Sequence, residues 1–137
     1  MLAHKDLLIK IKFLSISIFS LILVKIFLKV IPLSSMIIKI KKISGLLFSP
    51  NKPKISIERI HLWYLKLNKI LNIESCFVNS LVKKIIFSFF GHNLVVVCGI
   101  KLDDGSKVDG HAWLCYKNEA VFEENKNLNG YIESFRV

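Results

Sequence analysis

The stretch CFVNSLVKKIIFSFFGHNLVVVCGI, residues 76–100, decides the fold. From Cys76 to Phe90 the residues Phe77, Leu81, Ile85, Phe89 and their neighbours make a broad apolar face at helical spacing, and Gly91 closes the helix. After Gly91 the period changes. Leu94 to Ile100 is a short, β-branched run of the buried-strand type. Asp103-Asp104-Gly105-Ser106 is a turn, Val108 to Tyr116 a second strand, Lys117-Asn118 a second turn, and Ala120 to Phe122 a third strand. Upstream, Ile57, Ile60, Leu62, Trp63, Leu65, Leu67 and Ile70 recur at helical spacing, until Asn72-Ile73-Glu74-Ser75 breaks the pattern before Cys76. Helices first and an antiparallel meander afterwards indicate an α+β fold.

Ser49-Pro50-Asn51-Lys52-Pro53 is the clearest linker. It separates a hydrophobic, basic helical region, 1–50, from a core of 51–137. Leu7 to Ile31 is almost wholly apolar, interrupted by four lysines and three serines, and Pro32 ends its helix. A second apolar-basic stretch, Leu33 to Phe48, is helical up to Gly45. The longest charge-free run, Phe13 to Val24, is twelve residues, whereas a spanning helix needs roughly twenty. Lys25 and Lys29 follow at once, and no small-x-small cleavage site stands out, which disfavours a signal peptide. The expectation is a retained helix packed on the domain, on a partner or on a membrane face.

The 137 residues support one domain with a modest core. Residues 1–75 hold thirteen Lys/Arg against Asp6, Glu58 and Glu74, so the whole excess of +10 lies upstream of Cys76. The lysines sit among Ile, Leu, Phe and Val without stacking aromatics or glycines, a mix suited to a membrane surface or acidic peptide rather than nucleic acid. Three cysteines, none in a CxxC pair, argue against a disulfide framework and for a reducing, cytoplasmic setting. No Cys/His spacing matches a zinc site and no glycine-rich phosphate loop occurs, so neither a metal nor a cofactor is expected.

Cys76 falls at a helix start, where free N–H groups and the helix dipole stabilise a thiolate. His111, in Gly110-His111-Ala112-Trp113, supplies the complementary base from a strand. Trp113 shares its strand face and can roof the imidazole. An acidic residue after the third strand would orient the ring. A strict two-residue turn at Lys117-Asn118 sets Glu124 opposite His111, and a bulged turn brings Glu123 there instead. Cys98 and Cys115 read as small core residues. Asp103, Asp104 and Asp109 read as turn residues, and His4, His61 and His92 as surface or cap residues.

These residues resemble a known family. Hydrophobic N-terminal helices, a Cys at a helix start, Gly99-Ile100, His111-Ala112-Trp113 and an acidic residue twelve positions later are similar to the transglutaminase-like cysteine proteases of lasso-peptide biosynthesis, the leader peptidase called the B protein. The match covers most of the chain and is densest from Cys76 to Glu123. It implies a transglutaminase- or papain-like core, with Cys76 as nucleophile, His111 as general base and acid, and Glu123 where the family usually has Asp. Phe77-Val78-Asn79 departs from the Leu-Pro-Arg that often follows the family's Cys. The resemblance implies a cytoplasmic, stand-alone protease half that acts on a ribosomally made precursor peptide. A separate winged-helix protein would bind the leader, and an ATP-dependent cyclase would take the product. Two other readings compete with it: an acyltransferase using the same Cys/His site, and a non-catalytic, membrane-associated accessory protein.

Overall fold

A computed structural model describes residues 2–52, 55–102 and 107–137, without the side chains of Leu2, Ala3 and Asn125. The predicted turn at Asp103-Asp104-Gly105-Ser106 and the end of the linker at Pro53 lie outside the described residues. Among the described residues the architecture is α+β, with five helices and a four-stranded antiparallel sheet.

The organising element is α4 (Cys76–Phe89). Ser75 caps it, its hydroxyl accepting from Val78 N–H at 3.3 Å, so the helix begins where the sequence places it. Leu81, Val82, Ile85, Ile86 and Phe87 are each at most 1% exposed. Burial on nearly every side follows from its place between two layers. One face meets the sheet, and others meet α1 (Leu2–Val30) and α2 (Leu33–Leu47). Gly91, at φ +85°, takes the left-handed conformation that ends the helical path. Lys84 is buried on this helix and donates to the Leu94 carbonyl at 2.8 Å; burial pulls its amine down to about 8.

Pro32 separates α1 from α2, as expected. Phe13, Ile16 and Val24 of α1 join one apolar cluster with Met36 and Ile40 of α2 and with α4. Ser17 and Ser20 are buried in the same stripe, their hydroxyls donating back to the Phe13 and Ile16 carbonyls at 2.7 and 2.6 Å. The charge-free run of twelve residues understates α1: His4–Val30 is long and apolar enough, by length and composition, to cross a membrane. The third helix, α3 (Ile57–Leu71), is capped by Ser56 and ends on Asn72 in the left-handed region.

The sheet has the order β3-β2-β1-β4. Strands β1 (Val95–Leu102), β2 (Val108–Tyr116) and β3 (Glu119–Val121) form the predicted meander. Two elements were not foreseen. The short α5 (Asn125–Leu128) leads to β4 (Ile132–Arg136), which pairs with β1 on the side away from the hairpin. Val96, Cys98, Ala112 and Leu114 belong to the buried cluster under α4, and Ser80 of α4 donates to the Ala112 carbonyl at 3.1 Å.

Candidate active site

The chain between α3 and α4 is held by amides. Asn79 donates from Nδ2 to the Ile73 carbonyl at 2.8 Å and accepts the Tyr64 hydroxyl at 2.5 Å. Asn68 accepts from Ile73 N–H at 3.3 Å. These bonds hold the segment that delivers Cys76 to the first position of α4. Cys76 is half-buried, and all three thiols are free.

On β2, His111 pairs in register with Gly99 of β1. Its Nε2–H donates to Glu123 Oε1 at 2.8 Å, with both side chains about one-quarter exposed. A proton on Nε2 makes Nδ1 the basic nitrogen, and among the described residues Nδ1 has no hydrogen-bond partner. Trp113 does roof the imidazole, with ring centroids 6.1 Å apart and planes within 21°. Gly99 permits this. A Cβ there would lie 2.8 Å from Trp113 Cη2 and 3.1 Å from the Ile132 carbonyl oxygen. Tyr131 packs against both rings, and its hydroxyl donates to Asp109.

The choice between the two glutamates has a physical basis that the turn argument lacked. Lys117 and Asn118 both have positive φ, so the turn is the strict two-residue form. That form should set Glu124 opposite His111. The ladder stops at Val121, however, and Phe122 adopts φ +65°. This break turns Glu123 onto the imidazole, while Glu124 flanks α5 and pairs with Lys126 at 2.5 Å. Phe122 is held in that conformation by stacking between His61, at 3.8 Å, and Phe87, at 5.7 Å.

Cys76 and His111 share the walls of two adjoining cavities. One, of about 280 Å³, is mostly apolar and is lined by Leu33, Phe77, Ile100 and Phe135 beside the pair. The other, of about 180 Å³, is bounded by Asn68, Asn79, Lys83 and Glu123. A third cavity, of about 560 Å³ between Ile9, Arg59 and Phe90, contains none of these residues.

Several expectations change here. His61 is no surface residue: it stacks on Phe122, its Nδ1 is buried without a hydrogen-bond partner among the described residues, and burial, with Lys83 adding to it, lowers its pKa to about 4. His92 is buried and bonds the Ile55 carbonyl at 2.6 Å. Asp109 lies on β2 rather than in a turn, whereas Asp103 and Asp104 lie outside the described residues. Cys98 and Cys115 are core thiols, with burial pushing Cys98 up to about 11 and Cys115 upward. Lys83 was missed. It follows Cys76 by two helical turns, lies 5.0 Å from the Tyr64 ring centroid and faces the Glu123 carboxylate, which opposes the lowering of its pKa by burial. The spacing of seven from Cys76 was the available signal. Among the described residues, no group of three or more His, Cys, Asp or Glu side chains is placed to hold a metal. Comparison with known protein families, with curated proteins and with solved structures finds no match.

Proposed function

We propose that this chain is a cysteine peptidase that removes the leader from a ribosomally synthesised lasso-peptide precursor. The observation that carries the reading is the 2.8 Å bond from His111 Nε2 to Glu123, which leaves Nδ1 as the base in cavities that Cys76 also lines. Cys76 is the nucleophile, at the first position of a helix capped by Ser75. Cys76 gives its thiol proton to His111 Nδ1 as its sulfur attacks the scissile carbonyl, and the Cys76 backbone N–H stabilises the oxyanion. His111 protonates the leaving amine and then takes a proton from the water that hydrolyses the thioester. Glu123 holds the tautomer and stabilises the imidazolium, and Trp113 limits water at the ring. The transglutaminase-like core is part of the same reading, supported by a nucleophile-bearing helix packed on a sheet that carries the base. So are the cytoplasmic setting, the separate leader-binding winged-helix protein and the ATP-dependent cyclase that takes the freed core peptide.

Intact mass spectrometry of the co-encoded precursor, incubated with this protein and its leader-binding partner, tests the proposal. A single cut at the leader–core junction is expected, absent with Cys76→Ala. An adduct on an added amine in place of a free carboxylate would assign an acyltransferase. Cleavage that persists in Cys76→Ala would overturn the reading.

A further inference from the structure

One stripe of α1, comprising Phe13, Ile16, Ser17, Ser20 and Val24, is covered by the rest of the molecule. Only 28% of the residues in its most apolar stretch are buried. The remaining surface is apolar too: Leu8, Ile11, Ile18, Phe19, Ile22 and Ile26 are each between 44% and 53% exposed. A helix that is apolar all round is normally covered all round, by protein or by lipid. A continuous exposed apolar band of this kind marks an interaction surface.

Charge selects the occupant. Lys5 and Lys12 lie toward one end of the band and Lys25 and Lys29 toward the other, all exposed. Exposed Lys39, Lys41 and Lys42 continue the basic surface on α2. Lys25 and Lys29 have no ion-pair partner among the described residues. A second copy would set these lysines against lysines, because the only acid of α1, Asp6, already pairs with Lys10 and Arg59. Apolar side chains bounded by cations match an acyl layer beneath anionic phosphates. The covered stripe fixes the orientation. An upright, spanning α1 would have to strip Phe13, Ile16 and Val24 from the shared apolar cluster.

We propose that α1 lies in the plane of an anionic bilayer surface, with its outer side chains in the acyl boundary and its lysines at the phosphates. Leu33, which opens α2 immediately after α1, also lines the cavity beside Cys76. Docking therefore brings that cavity close to the lipid surface. The proposal stands whether or not Cys76 cleaves a peptide.

Flotation of the full chain with vesicles tests it, using phosphatidylcholine alone and phosphatidylcholine mixed with phosphatidylglycerol. The chain is expected to float with the anionic vesicles, to lose binding as salt rises and to be released by an alkaline carbonate wash. Lys25→Gln and Lys29→Gln should each weaken partitioning about fivefold. Ile18→Asp with Ile22→Asp should abolish it while leaving circular dichroism and melting unchanged, since both positions are exposed. Failure to bind anionic vesicles, undiminished binding in the double aspartate variant, or retention after carbonate would overturn the proposal. A lipid-independent dimer that the aspartates dissolve would assign the face to a second copy instead.

Discussion

At Phe122 the backbone takes a conformation that a bulky side chain rarely adopts, and the stacking of its ring between His61 and Phe87 holds it there. That one residue sends Glu123 rather than Glu124 to His111. Pairing arithmetic along the strands could only offer both, because a non-glycine positive φ has no signature in an apolar run. Removing the ring removes the restraint. Phe122→Ala is expected to lower stability by about 1–3 kcal/mol, measured by urea unfolding, and to increase the mobility of Glu123. Glu123→Ala tests the carboxylate itself. Under the peptidase reading it should reduce kcat roughly a hundredfold or more with little change in melting temperature, whereas Glu124→Ala should be close to neutral. Gly99 is a third such position. Gly99-Ile100 enters the sequence reading only through the family resemblance, which gives no reason for the glycine. Gly99→Ala drives a Cβ into Trp113 and should destabilise the protein by about 1–3 kcal/mol, with loss of the near-ultraviolet signal from that indole.

Among the elements, those with strong periodicity were legible and those without it were not. The start of α4 and the span of β2 fall where helical spacing, the Ser75 cap and the flanking turn residues put them. Strand β4 was invisible because four of its five residues are exposed or carry charge at an edge, leaving no alternation to read. It is held by the backbone of β1, with a register shift at Cys98/Gly99, and by Phe135 packing on Phe77. In the sequence the link between α3 and α4 shows only as a break in helical spacing. Its order comes from side-chain amides, a kind of contact that composition does not reveal. Asn79→Ala removes both the bond to Ile73 and the acceptor for Tyr64. A loss of about 1–3 kcal/mol is expected, together with faster hydrogen exchange at residues 73–76. If exchange there stays as slow as in the parent chain, the amide network does not anchor the nucleophile's loop.

For the whole molecule, packing around one titratable ring contributes to the acid limb of stability. His61 stacks on Phe122, and burial, with the Lys83 charge adding to it, brings its pKa from an ordinary 6.5 to about 4. Between these values the unfolded chain binds a proton that the folded chain refuses, so stability rises with pH from about 4 to 6.5 and falls on acidification through the same window. After discounting for partial exposure, this amounts to at most about 2 kcal/mol. The carboxyl groups of Asp6 and Glu133, held low by Lys10 and by Arg136, also favour the folded state above their unfolded values, but they lose that contribution at more acid pH. Cys98 and Lys84 titrate on the alkaline side. Replacing His61 by Phe keeps a ring against Phe122 and removes the orphaned Nδ1. Thermal melts from pH 4 to 7 should then show parent and His61→Phe converging near neutrality, or the variant slightly more stable, with a gap that widens as the pH falls. Parallel curves across the window would mean that the ring accepts its proton in the folded state, and that the stack on Phe122 does not keep water from it.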